Sequence, residues 1–223
     1  MERDNREYEH VTVKQALRYW ADWKIGVFMI CYFISSSSSY SVAFFMPVIL
    51  SDGMGFDYST TLLLSTPPWV GLPKANWSDR YKLRWPVLVF QCLNAVVGLL
   101  LILYVKVVGV RLFGVFLATY GAQSNVPTLL TYAQNNTGDP SRRGVVSAAV
   151  LTAGAIGGVC GSTIFRSQDA PQYFPGMWTS IGMQLLYIVL VALMALYYRH
   201  QNKLLDLGKV TAPQGLESFR YTL

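Results

Sequence analysis

The sequence is poor in the side chains from which enzyme active sites and metal centres are built. Only 13% of its 223 residues are charged, and it has two histidines and three cysteines. His10 and His200 lie outside the long apolar runs, and no Asp or Glu lies within one. Neither a nucleophile with its base nor a zinc site can be assembled inside those runs. We therefore predict no enzymatic activity, no metal and no cofactor.

The chain is rich in long runs of hydrophobic residues. Hydrophobic residues make up 52% of it and are gathered into six runs. A helix of about 20 apolar residues crosses the hydrocarbon core of a bilayer. The runs are residues 25–50, 58–75, 85–105, 111–134, 145–165 and 177–198. The sequence predicts an all-α membrane protein, a six-transmembrane-helix bundle in a lipid bilayer, with its three cysteines as small membrane-core residues.

Lys and Arg are concentrated in the segments on one side of the predicted membrane helices. The net charge is +6. Of the 18 Lys and Arg residues, 15 lie before the first run, at the turn between runs two and three, between runs four and five, or after the sixth run. Only Lys106, Arg111 and Arg166 fall on the opposite side. The positive-inside rule then puts both termini in the cytoplasm. The basic excess thus indicates topology, and we predict no nucleic-acid partner.

The same pattern divides the chain into three parts. Residues 1–24 are predicted to be a cytoplasmic connector containing a short amphipathic helix, because Val13, Leu17 and Trp20 recur at helical spacing. Residues 25–199 are the predicted bundle. Residues 200–223 are a predicted cytoplasmic tail, polar from Gln201 and expected to be disordered. The polar start resembles the end of a longer connector, so we expect the chain to be the second half of a larger protein.

Three runs carry features that a purely lipid-facing helix does not need. The first contains five consecutive serines, Ser35 to Ser39, whose hydroxyls either bend the helix or allow close packing. Pro67 and Pro68 interrupt the second. The fifth has two overlapping GxxxG pairs, typical of close helix contact, either static or rocking. The glycines are Gly154, Gly157, Gly158 and Gly161.

Polar residues also form one stripe on the fourth run. They recur at spacings of three and four: Tyr120, Gln123, Ser124, Pro127, Thr128 and Thr131. Counting from the ends of the runs, we expect a substrate site near the bilayer midplane. Its predicted residues are Ser36, Ser39, Tyr40, Thr66, Tyr120, Gln123, Asn125 and Gly154. No cation lies at that depth, so hydroxyl and amide donors would have to hold an anion there.

One loop carries a family resemblance. Residues 75–84, ANWSDRYKLR, look like the major facilitator pattern Gly-x-Leu-Ala-Asp-Arg-x-Gly-Arg-Arg. Further matches run through nearly the whole chain: NNTG at 135–138, Arg142 and Arg143, the glycines of 154–161, and Asp22-Trp23-Lys24. Together they are similar to the fungal anion:cation symporters, the allantoate, nicotinate and vitamin permeases. The resemblance implies the carboxyl-terminal half of a twelve-helix transporter, without the N-terminal six-helix half.

The function implied by this resemblance is secondary active transport by alternating access. The expected substrate is a small organic anion such as allantoate, nicotinate or another carboxylate, with the proton as coupling ion, at the plasma membrane. The family comparison also implies a cytoplasmic gate, whose alternative is a solvated loop that obeys the positive-inside rule. The gating residues would be Asp79, Arg80, Arg84, Arg142 and Arg143. Ala155 stands where many relatives carry Asn.

Two other functions fit the same sequence. One is a non-transporting membrane subunit that binds a partner through the glycine face, and the other is a truncated, inactive transporter fragment. Crosslinking in membranes separates the first from a transporter, because a stable hetero-oligomer without uptake favours a subunit.

Overall fold

The computed structural model describes residues 12–51, 57, 59, 84–169, 173–210 and 219–223. These residues form six α-helices and one 3-10 turn, Ser167–Asp169. The helices are α1 (Val13–Trp20), α2 (Trp23–Ser51), α3 (Trp85–Tyr104), α4 (Val108–Asn135), α5 (Pro140–Ile164) and α6 (Phe174–Asp206). In this part of the chain α2, α3, α5 and α6 are long and apolar enough to cross a membrane. The predicted all-helical membrane fold is confirmed.

Five of the six predicted runs fall on α2 to α6. The run at residues 58–75, which holds Pro67 and Pro68, lies outside the described residues. α4 is 28 residues long, but its polar stripe leaves it less apolar than the four candidate spans. We call the end of the bundle where α1, the start of α2 and the end of α6 lie together the α1 end.

The tail does not behave as the sequence suggested. Disorder from Gln201 onward was predicted, but α6 continues to Asp206, and residues 219–223 pack back onto the bundle. Leu205 packs against the main apolar cluster, and Phe219 and Tyr221 are buried within it. Composition missed this because a few apolar side chains, spread through a polar segment, are enough to anchor it.

Among the described residues, the most extensive contact between helices joins α2 to α5. A Cβ placed on Gly157 would lie 2.5 Å from the Phe33 carbonyl oxygen, and one on Gly161 would overlap the Ser37 carbonyl oxygen. The two backbones therefore touch, as the GxxxG pairs predicted. The Ser37 hydroxyl donates a 2.9 Å hydrogen bond to the Gly157 carbonyl across this seam.

A second close pair, α3 with α4, was not predicted. A Cβ on Gly98 would come 2.5 Å from the Gly114 carbonyl oxygen, and one on Gly121 would come 2.5 Å from the Ala95 backbone nitrogen. These glycines form no GxxxG pair, but Gly114, Ala118 and Ala122 of α4 recur at spacings of four, a small-residue pattern that could have indicated the contact. Small residues thus set the spacing in both helix pairs.

The serine run lies at the contacts of α2 with its neighbouring helices. All five serines are buried. The Ser39 hydroxyl donates a 2.8 Å hydrogen bond to the Ala122 carbonyl of α4, just as Ser37 donates to α5. Of the two interpretations, the structure therefore supports close interhelical contact, with α2 holding both neighbours.

Candidate functional site

A cavity of about 360 Å³ lies where α2, α4 and α5 meet. Three helices supply its wall, and the serine run and the glycine face both border it. The lining residues are Tyr32, Ser36, Ser39, Tyr40, Ala43, Gln123, Val126, Leu151, Gly154 and Ala155. None of these carries a charge. The lining therefore combines a few uncharged hydrogen-bonding groups with apolar side chains.

Its polar groups are hydroxyls and one amide. The Gln123 side-chain nitrogen donates a 3.2 Å hydrogen bond to the Ser39 carbonyl, which couples α4 to α2 at the cavity wall. A primary amide has two N–H groups and an acceptor oxygen, so this bond uses only part of its capacity. Ser36 and the two tyrosines add O–H groups that can donate or accept.

The aromatic walls rest on glycines. The Tyr32 ring lies directly over Gly154, where any Cβ would overlap it, and the Tyr40 ring lies 3.0 Å from the position of a Cβ on Gly158. Tyr32 is buried, whereas Tyr40 is half exposed. Tyr32 was not predicted. It precedes Ser36 by four residues and so shares its helix face, a signal that could have identified it.

Five of the eight predicted substrate residues line this one cavity: Ser36, Ser39, Tyr40, Gln123 and Gly154. Tyr120 is half-buried on α4 and is not part of the lining. Asn125 is fully buried, and its amide nitrogen donates to the Cys92 sulfur of α3 at 3.2 Å. Two residues along a helix turn the side chain by about 200°, so Gln123 and Asn125 face different neighbours. Thr66 lies outside the described residues.

A partly buried ion pair joins two helices at the α1 end. An Arg142 guanidinium nitrogen donates to the Asp22 carboxylate at 2.5 Å, and each side chain is 23% exposed. The second Asp22 oxygen accepts the Lys24 backbone N–H at 3.1 Å. The guanidinium also lies 5.1 Å from the Tyr19 ring centre. Arg142, at the start of α5, is thus fixed to the segment between α1 and α2.

Three of the five predicted gating residues lie in the described part of the chain. Asp79 and Arg80 lie outside the described residues. The Arg84 backbone N–H donates to the Leu223 carbonyl, and the Arg143 side chain donates to the Thr137 carbonyl at 3.1 Å. Sequence reasoning missed Asp22 as a partner of Arg142, although the Asp22-Trp23-Lys24 match marked its position.

Known proteins similar to this chain are fungal membrane transporters. It is 28% identical to the high-affinity nicotinic acid transporter of Saccharomyces cerevisiae over 89% of its own length and 37% of that protein's. It is 30% identical to an uncharacterized transporter of Schizosaccharomyces pombe, over 74% of the chain and 34% of that protein. A third relative is the major facilitator-type transporter hxnP of Emericella nidulans, 29% identical over 87% and 41% of the two lengths.

The chain spans between about a third and two fifths of the length of these curated relatives. No solved structure matches it significantly. The family model of the Major Facilitator Superfamily matches residues 3–162, well over half of the chain. With its apolar helices and small-residue seams, the chain belongs to the major facilitator superfamily, a family of multi-pass membrane transporters and not of enzymes.

Proposed function

We propose that this chain forms part of a secondary active transporter for small organic anions, and that the cavity between α2, α4 and α5 is its substrate site. The observation that carries the proposal is that five of the eight residues expected at one depth, on three different helices, line one uncharged cavity. Pockets that hold small molecules commonly have volumes of about 300–1,000 Å³ and a few well-placed polar groups. This cavity has both properties.

A planar aromatic carboxylate suits the lining. Tyr32 and Tyr40 offer ring faces and edges, while Ser36 and Gln123 can donate hydrogen bonds to a carboxylate oxygen. The similarity to a protein named as a nicotinic acid transporter supports the same class. In this proposal the countercharge for the anion, and the group that carries the coupling proton, come from parts of the transporter beyond the described lining.

The gate belongs to the same proposal. We assign the α1 end to the cytoplasmic side of the plasma membrane, because the basic residues cluster in the segments at that end. There the ion pair of Asp22 and Arg142, with Asp79, Arg80, Arg84 and Arg143, would hold the inward side closed. Alternating access then requires these contacts to break once in each cycle.

Removing single donors from the cavity is expected to weaken nicotinate binding. Gln123→Leu and Ser36→Ala should each raise the Kd about tenfold, because each deletes one hydrogen bond to a charged group. Thr131→Ala is the matched control, since its hydroxyl donates within α4 to the Pro127 carbonyl and does not line the cavity. Binding of radiolabelled nicotinate to the chain in lipid nanodiscs measures the effect. Equal affinity in all four proteins would refute the assignment of the cavity.

Transport itself is expected to need both halves. Uptake of labelled nicotinate should be seen when the chain is expressed with the N-terminal six-helix half of a related full-length transporter, and a protonophore should abolish it. Vesicles containing the chain alone should show none. Robust uptake by the chain alone would contradict the half-transporter proposal, and uptake insensitive to the protonophore would contradict proton coupling.

A further inference from the structure

Residues 219–223 lie across the α1 end of the bundle in a non-helical conformation. Phe219 and Tyr221 are buried, with 5% and 8% of their surface exposed. The Tyr221 ring stacks on Tyr198 of α6, with ring centres 4.6 Å apart and planes 14° apart. Lys24, at the start of α2, lies 5.5 Å from the centre of the same ring. A short segment of mixed composition is therefore inserted between two helices.

Directional hydrogen bonds fix its register. The Asn202 side chain accepts the Tyr221 backbone N–H and donates to the Tyr221 carbonyl, both at 2.8 Å. This is the pairing that a neighbouring strand would provide, here supplied by one amide on α6. Arg220 adds an exposed ion pair with Asp206 at 2.8 Å. The Leu223 carbonyl accepts the Arg84 N–H at the start of α3.

The segment covers a small crevice that contains the ion pair described above. The crevice has a volume of about 50 Å³, and its lining includes Asp22, Arg142, Thr137, Phe219 and Tyr221. Burial, followed by the nearby Asp22 carboxylate, raises the pKa of Tyr221 above its ordinary value, with Arg142 opposing the shift. Tyr221 thus lies within electrostatic reach of both partners of the pair.

We propose that residues 219–223 are a strap that closes the α1 end of the bundle, and that release of the strap opens the crevice to water. The strap contacts α2, α3 and α6 and covers the carboxylate that binds α5. It therefore bridges helices from both glycine-spaced pairs. Any motion that separates α6 from α2 or α3 at the α1 end must break the contacts of the strap on one side or the other: those with Asn202 and Tyr198 on α6, or those with Lys24 and Arg84.

Cysteine accessibility tests the strap without any substrate. Thr137 is buried in the crevice wall, so Thr137→Cys, in a chain whose exposed Cys160 is replaced by Ser, reports on the opening. Adding Asn202→Leu should increase the rate of labelling by a water-soluble maleimide about tenfold, because both backbone hydrogen bonds to the strap are lost. Gln201→Leu, an amide removed one position away, is the matched control and should leave the rate unchanged.

Two further variants keep the test decisive if Asn202→Leu misfolds. Asn202→Asp retains the acceptor for the Tyr221 N–H but loses the donor, and should give an intermediate rate. Tyr221→Ala removes the buried ring and should label at least as fast as Asn202→Leu. All variants are compared as monodisperse protein in nanodiscs. If the folded Asn202 and Tyr221 variants are labelled no faster than the Thr137→Cys parent, the strap is overturned, and that result would leave the proposed substrate site untouched.

Discussion

Replacing Gly157 by Ala is expected to destabilise the bundle strongly, because the added methyl group meets the backbone of α2. The new Cβ would lie 2.5 Å from the Phe33 carbonyl oxygen and 3.1 Å from its carbon. These are backbone atoms, so no flexible side chain can move away and the helices must separate. Overpacking of this kind costs about 3 kcal/mol, of which the better helix propensity of Ala recovers less than about 1 kcal/mol. The free energy of unfolding in mixed micelles measures the difference.

Gly144 provides the matched control on the same helix. No neighbouring atom lies within 4 Å of a Cβ placed there, so Gly144→Ala should be neutral or slightly stabilising. Because the two substitutions have identical chemistry, their difference isolates the contact with α2. Equal stability of Gly157→Ala and Gly144→Ala would show that α2 and α5 are not in backbone contact.

The second large effect is expected at the ion pair of Asp22 and Arg142. Removing either partner leaves the other charge in a site that is only 23% exposed, which makes the loss costly. A double-mutant cycle with Asp22→Ala and Arg142→Ala should give a coupling energy of about 2 kcal/mol. The stacking of Arg142 on Tyr19 cancels in the cycle, because Asp22 takes no part in it. Unfolding free energies of the four proteins supply the measurement.

The pair of Arg220 and Asp206 is the internal reference for that cycle. It has a similar distance, 2.8 Å, but its side chains are 43% and 62% exposed. Coupling between exposed charges is typically below about 1 kcal/mol and is screened by salt. If the coupling energy of Asp22 and Arg142 is no larger than that of this exposed pair, there is no basis for proposing that the Asp22–Arg142 pair helps to close the α1 end.

The position of a residue along its helix could be predicted from the sequence, but rotation about the helix axis could not. Ser36, Gln123 and Gly154 meet at one cavity because each lies a known number of residues from a recognisable helix end, and the rise per residue is constant. Asn125 fails for the complementary reason. It shares the depth of Gln123, yet which of the two polar side chains faces α2 depends on packing against α3.

Pairings between distant segments were also beyond the sequence. Asp22 and Arg142 are 120 positions apart, and no periodicity connects them. The contact of α3 with α4 at Gly98 and Gly121 has no GxxxG pair, since its glycines are spread over two helices. The docking of Tyr221 depends on a single amide, Asn202, in a region whose composition indicates disorder. Each of these features depends on shape complementarity, which a hydropathy pattern does not encode.

The packing of Tyr32 on Gly154 and of Tyr40 on Gly158 links the shape of the proposed substrate cavity to the contact of α2 with α5. These two glycines hold the rings of the proposed substrate cavity, and they adjoin Gly157 and Gly161, where the backbones of α2 and α5 touch. A substitution of Gly154 or Gly158 that changes the size of the cavity is therefore expected to shift α2 relative to α5. A substitution that changes the spacing of α2 and α5 is expected to move the rings of Tyr32 and Tyr40. New substrate preferences in this scaffold will therefore be reached through paired substitutions on α2 and α5.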